Sequence, residues 1–167
     1  AGVGGNVGTG VAGSAGGTFT IQADGSYTFE PGTAFDDLAV GESRVTTVTY
    51  TISDGNGGTD TATVTITVTG VNDGPDAVDD TASTGENTDA SGNVLGNDTD
   101  ADTSDTLTVT AVAGVGGNVG TGVAGSAGGT FTIQADGSYT FEPGTAFDDL
   151  AVGESRVTTV TYTISDG

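Results

Sequence analysis

The residues best equipped for chemistry lie together near the middle of the chain, in Asn97-Asp98-Thr99-Asp100-Ala101-Asp102-Thr103-Ser104-Asp105. Alternating Asp places Asp98, Asp100 and Asp102 on one side of an extended segment. Carboxylates held this close repel one another unless a cation lies between them. An all-oxygen donor set of this kind suits Ca²⁺, which takes about six to eight oxygens. Without a cation, the same run reads as a polar, Asp-rich turn. The opening D-x-D-x-D imitates an EF-hand loop. Thr103 stands where that loop needs Gly, however, and Val109 where it needs Glu, so an EF-hand is excluded. A second acidic group comprises Asn72, Asp73, Asp76, Asp79 and Asp80. A third is Ser53-Asp54-Gly55-Asn56-Gly57-Gly58, whose start recurs at Asp166. Alone, the third group reads as a tight turn, and it gains weight as a ligand only if the fold brings it to the other two.

Composition points to the same chemistry. The chain has 23 acidic residues and 2 basic ones, a formal charge of −21. The only cations are Arg44 and Arg156. Nucleic acid is excluded as a partner, because binding it needs Lys or Arg in place of the phosphate counterions. Anionic membrane surfaces are disfavoured for the same reason. Self-repulsion of this size opposes compaction, and divalent cations are the economical counter-charge. His, Lys and Cys are absent. Ser-His and Cys-His nucleophile systems, Schiff bases, disulfides and thiolate metal sites are therefore excluded, and no enzyme is expected. No apolar run approaches the roughly 18 residues of a membrane span, so membrane insertion is not expected.

The elements that must position these acids are strands. In Thr61-Ala62-Thr63-Val64-Thr65-Ile66-Thr67-Val68-Thr69, small and apolar residues alternate with Thr. Val64, Ile66 and Val68 are expected to face a core, with the threonines toward water. Val48, Tyr50 and Ile52 alternate with Thr47, Thr49 and Thr51, and Leu107, Val109 and Ala111 follow the same rule. Asp24-Gly25 between two alternating runs predicts a hairpin. Phe35 to Leu38 predicts one short turn whose Phe and Leu plug the end of the core. The largest regularity is a repeat: residues 1–55 recur unchanged as residues 113–167, a period of 112. That period suits one small domain per repeat rather than a solenoid. The expected fold class is all-β, with tandem Ig-like, Greek-key β-sandwich repeats.

Three stretches carry a family resemblance: Ala23-Asp24-Gly25-Ser26-Tyr27-Thr28-Phe29, Tyr50-Thr51-Ile52-Ser53-Asp54-Gly55-Asn56-Gly57-Gly58, and Thr63 to Gly70 with Val71-Asn72-Asp73-Gly74-Pro75. Together with Asn93-Val94-Leu95-Gly96-Asn97-Asp98-Thr99-Asp100, they resemble the VCBS repeat of large RTX-type bacterial adhesins. That repeat is similar to the bacterial cadherin-like domain. The resemblance implies a calcium-stabilised extender module of a cell-surface adhesin, secreted by the type I route to the cell exterior. Its partners would be calcium ions and adjacent identical repeats. Asn72-Asp73 before Pro75 resembles the calcium-coordinating cadherin linker. Asp100 and Asp102 resemble the paired Asp of the following domain, Asp166 the late-strand Asp that joins them, and Glu86-Asn87 the early-strand Glu-Asn. The mid-domain Asp-Arg-Glu of cadherins is missing. The ligand set expected from clusters and resemblance together is Asn72, Asp73, Asp76, Asp80, Glu86, Asp98, Asp100, Asp102, Asp105, Asp54 and Asp166. The competing reading is a module that binds a carbohydrate or another surface ligand.

Residues 1–70 read as the later part of one sandwich, 71–76 as a linker, and 77–167 as the next sandwich without its last strand. The joining segment 70–76 reaches at most about 25 Å when extended. Strand 61–69 is therefore not expected to fold back onto the second sandwich. Open edges recruit strands, and strand exchange with a neighbouring chain is expected instead. The match of Gly8 to Gly13 to G-x-G-x-x-G precedes a strand rather than a helix, so it reads as a loop.

Overall fold

The computed structural model describes residues 5–167, and the chain divides into two compact units. No helix among the described residues is long and apolar enough to cross a membrane, which says nothing of β-barrels.

Unit 1 runs to Asp73 and includes Ala101–Ser104. Strands β1 (Gly10–Ala12), β2 (Thr18–Ile21) and β3 (Tyr27–Glu30) form an antiparallel sheet in that order. The β2–β3 connection is the hairpin expected at Asp24-Gly25. Gly25 takes φ 86°, and Asp24 Oδ1 accepts hydrogen bonds from Ser26 N (3.0 Å) and Ser26 Oγ (2.7 Å). These two donors hold the Asp24 carboxyl below its ordinary pKa. Strands β4 (Ser43–Ser53) and β5 (Thr59–Thr69) make a long hairpin, with Thr46 opposite Ile66 and Val48 opposite Val64.

The core of unit 1 draws on both sheets. Val11, Phe19, Ile21 and Val48 form its buried centre, and Phe29, Tyr50, Val64 and Ile66 pack around it. Phe29 stands 4.7 Å from Phe19 and 6.1 Å from Phe35, ring centre to ring centre. Phe35 and Leu38 are buried in the short turn that closes one end. The alternation in β5 holds, with Val64, Ile66 and Val68 half-buried between exposed threonines. In β4 it fails at Ile52, which is 59% exposed. The distal end of the β4–β5 hairpin, residues 51–63, is exposed throughout and carries Ile52 past the core.

One close approach fixes the exit of β5. Gly70 N donates to Glu42 O at 3.0 Å. A Cβ on Gly70 would lie 2.1 Å from Leu38 O and 2.2 Å from Ala39 O. Both obstacles are backbone, so neither can rotate away. Gly70→Ala is therefore expected to destabilise unit 1 by about 1–3 kcal/mol, the ordinary range for overpacking. A urea denaturation midpoint equal to that of the parent chain would refute this.

Unit 2 comprises Gly74–Asp100 and Asp105–Gly167. Strands β6 (Ala90–Asn93), β7 (Thr108–Val112), β8 (Val123–Ala124), β9 (Thr130–Ile133), β10 (Ser138–Glu142) and β11 (Tyr162–Ser165) form two sheets. One is four-stranded in the order β6-β10-β9-β8, and the other pairs β11 with β7. Val94, Val109, Val112 and Ile133 form the buried core. The expected alternation Leu107, Val109, Ala111 is broken. Ile164 pairs with Val109 but Thr163 with Ala111, which leaves Thr110 as a bulge and makes Val112, rather than Ala111, the next buried residue.

Candidate metal-binding segment

Residues 97–102 alternate in burial as the sequence pattern predicts. Asp98 and Asp100 are half-buried, Asp102 is 1% exposed, and Asn97, Thr99 and Ala101 face solvent. The backbone pins the segment on both sides of this run. Within unit 2, Asp76 and Thr99 exchange both backbone hydrogen bonds, at 2.8 and 3.1 Å. Val78 N donates to Asp98 Oδ1 at 2.7 Å, and Asn97 Nδ2 donates to Val78 O and Asp79 O. Within unit 1, Asp73 N donates to Asp102 Oδ2 at 2.8 Å. Residue 73 thus meets residue 102 within unit 1, and residues 76–79 meet residues 97–99 within unit 2.

The electrostatics of this arrangement are unbalanced. The second oxygen of Asp98, Oδ2, is buried and has no hydrogen-bond partner among the described residues. Asp100 Oδ2 and Asp102 Oδ1 are also withdrawn from water. Neither basic residue of the chain serves these acids. Arg44 Nη2 binds Asp37 Oδ2 at 2.6 Å, and Arg156 Nη2 binds Asp149 Oδ2 at 2.6 Å. Each arginine also donates to a backbone carbonyl and lies 5.8 Å from the centre of a Phe ring. The guanidinium groups hold Asp37 and Asp149 below the ordinary carboxylate pKa. Burying a carboxylate oxygen without a donor or counter-charge is costly, and a bound hard cation is the remedy that an oxygen-only set can accept. By that test the donor chemistry, oxygen only, suits a calcium ion. Among the described residues, however, no three acidic side chains are grouped closely enough to hold one as they stand.

The other expected ligands are placed as follows. Asp80 Oδ2 accepts a hydrogen bond from Tyr162 Oη at 2.9 Å. The same Oη lies 3.3 Å from Val78 O and 3.1 Å from Val94 O, which sets residues 78–80 beside the core of unit 2. Burial, followed by this bond to Asp80, pushes the Tyr162 phenol above its ordinary pKa. Asp54 is exposed, and its Oδ1 accepts from Asn56 N (2.8 Å) and Gly58 N (2.9 Å) in the β4–β5 turn. Those two donors lower its pKa, and the tight-turn reading describes what this carboxylate does. Glu86 is exposed and accepts from Asn87 Nδ2 at 3.3 Å. Asn72 is exposed and donates to Asp73 O, while Asp105 and Asp166 are half-buried. Sequence reading missed Tyr162. The alternation marks its equivalent, Tyr50, as a core residue, and nothing in that pattern reveals that the hydroxyl reaches an acid 82 positions away.

Comparison with known proteins supplies the family. The family model of the bacterial cadherin-like domain matches twice, over residues 3–70 and 72–167. The calcium-binding lectin RapA2 of Rhizobium johnstonii is 38% identical over 161 residues, covering 90% of this chain. The chain spans 66% of that relative's length, just under two thirds. No solved structure matches. Two successive matches that together take in the described strands establish that the chain belongs to the bacterial cadherin-like domain family.

Proposed function

We propose that this chain is a calcium-stabilised structural module of a bacterial cell-surface adhesin, in which repeated sandwiches extend a stalk outside the cell. The observation that carries this reading is Asp98 Oδ2, buried with no donor among the described residues, in a chain whose two arginines are both engaged elsewhere. Calcium bound by acids of the Asp98–Asp105 run and of 72–80 would neutralise their charge and stabilise the repeats that carry them. Each residue's part follows from its chemistry. Asp98, Asp100 and Asp102 offer inward oxygens. Asp73 and Val78 orient two of those carboxylates through their backbone N–H groups. Asp76 fixes the segment through its pairing with Thr99. The ion itself supplies counter-charge and no reaction.

Isothermal titration of the EDTA-treated chain with CaCl₂ tests this. Extracellular calcium modules bind at about 10⁻⁴–10⁻³ M, and saturable heat in that range is expected. Absence of binding at millimolar calcium would end the proposal. A second reading, a calcium-dependent carbohydrate-binding module, is favoured by the name of the RapA2 relative, a calcium-binding lectin. Reproducible, calcium-dependent signals on a glycan array would favour it over the structural role.

A further inference from the structure

Asn56-Gly57 stands in the turn of the β4–β5 hairpin, and Asn56 is the one asparagine of the chain that a glycine follows. Residues 51–63 around it are exposed throughout. Gly57 takes φ 100°, and a Cβ placed on it would meet no atom within 4 Å. Its backbone nitrogen therefore has neither a side chain of its own nor a neighbour to shield it. That nitrogen can close a five-membered ring on the side-chain amide carbon of the residue before it, Asn56 Cγ.

After other asparagines the fold occupies the equivalent nitrogen. Asp73 N, following Asn72, donates to Asp102 Oδ2 at 2.8 Å. Thr88 N, Val94 N and Val119 N, following Asn87, Asn93 and Asn118, donate to Gly85 O, Gly137 O and Gly116 O at 3.0, 2.9 and 3.2 Å. At Asn97 the side chain is held instead, its Nδ2 donating to Val78 O and Asp79 O. Asn6 precedes a valine, whose branched side chain crowds the nitrogen. The Asp-Gly turns of the two shorter hairpins follow the same rule, with Gly25 N on Gln22 O and Gly137 N on Gln134 O, each at 3.0 Å. Gly57 N has no such acceptor among the described residues. Its turn is closed by the groups on either side: Asn56 N and Gly58 N donate to Asp54 Oδ1, and Asp54 N donates to Gly58 O.

We propose that Asn56 is a self-modification site, at which the folded chain converts asparagine to aspartate and isoaspartate. The Gly57 nitrogen gives up its proton and bonds to Asn56 Cγ. The Cγ–Nδ2 bond breaks, ammonia leaves, and a succinimide remains. Water then opens the ring. Attack at Cγ restores the main chain and yields aspartate. Attack at the main-chain carbonyl leaves the chain running through the side chain and yields isoaspartate. Either product adds one negative charge to a turn that already carries Asp54 and Asp60. The isoaspartyl form also lengthens the main chain by one carbon inside the loop that Asp54 closes.

Timed incubation of the whole chain at neutral pH, folded and in concentrated urea, tests the proposal. Peptide mapping by mass spectrometry locates the conversion, and an isoaspartate methyltransferase assay counts the isoaspartyl product. In the folded chain Asn56 is expected to convert before any other asparagine. Its folded and unfolded rates are expected to agree within about tenfold, because an exposed turn needs little opening to react. The asparagines whose following nitrogen is bound are expected to slow on folding by more than that. Asn56→Gln is expected to abolish the isoaspartyl signal of the folded chain, since its longer side chain disfavours the ring. An intact Asn56 in the folded chain, folding protection at Asn56 as large as at Asn93, or an undiminished signal from the Gln variant would each overturn the site.

Discussion

Asp98→Asn combined with Asp102→Asn is expected to erase the calcium-dependent rise in melting temperature while stabilising the calcium-free chain. The two effects have opposite signs, which separates a metal role from ordinary structural damage. Asn keeps an oxygen able to accept from Val78 N and from Asp73 N, so the backbone bonds at 2.7 and 2.8 Å survive. What is removed is charge in a place where water does not reach Asp98 Oδ2 or Asp102 Oδ1. In EDTA, losing the Asp98 charge is expected to stabilise by on the order of 1 kcal/mol. In calcium, the parent chain gains ~2.7 kcal/mol from one site at 100 times its Kd. For a unit of this size that corresponds to a rise of about 10 °C or more, which the double variant lacks. Scanning calorimetry with calcium and with EDTA reads both arms. An undiminished rise would remove these residues from the site. A calcium-free variant less stable than its parent would mean that protein hydrogen bonds alone hold the carboxylates.

The part of this arrangement legible from sequence was the part governed by short-range periodicity. A two-residue alternation predicts both the half-buried Val64, Ile66 and Val68 and the inward Asp98, Asp100 and Asp102, because either pattern is a property of an extended backbone. Asp24-Gly25 predicts its own turn, since the Asp side chain and the glycine φ are local features. The failures arise where a distant part of the chain decides. The bulge at Thr110 depends on β11, some fifty positions later, and it moves burial from Ala111 to Val112. Ile52 is exposed because the hairpin outruns the sheet beneath it, a matter of strand lengths that no window within β4 reveals. Asp54 belongs to the same acidic pattern as Asp98, yet two backbone donors of its own turn claim its Oδ1. Residue type alone cannot tell a carboxylate that caps a turn from one left to find a cation.

The repeat turns this dependence on context into a measurement. Phe19→Ala is expected to cost about 3–5 kcal/mol, the range for emptying a fully buried phenylalanine site. Phe19 has no exposed surface, stands 4.7 Å from Phe29, and is enclosed on the β4–β5 side by Val48. Phe131→Ala removes the same atoms from the same local sequence and keeps an equivalent ring contact, 4.6 Å to Phe141. Its side chain is already half open, so less transfer free energy is lost and water can enter the space left behind. The cost at Phe131 is expected to be smaller by at least ~1 kcal/mol. Urea denaturation of the two single variants, with the parent chain as reference, gives the comparison directly. Local sequence, intrinsic propensity and ring pairing are the same at both positions, so the difference isolates the cover that β5 provides. Equal costs would show that β5 does not seal the core, and the exposure of Phe131, Thr158 and Val160 would then carry no energetic weight.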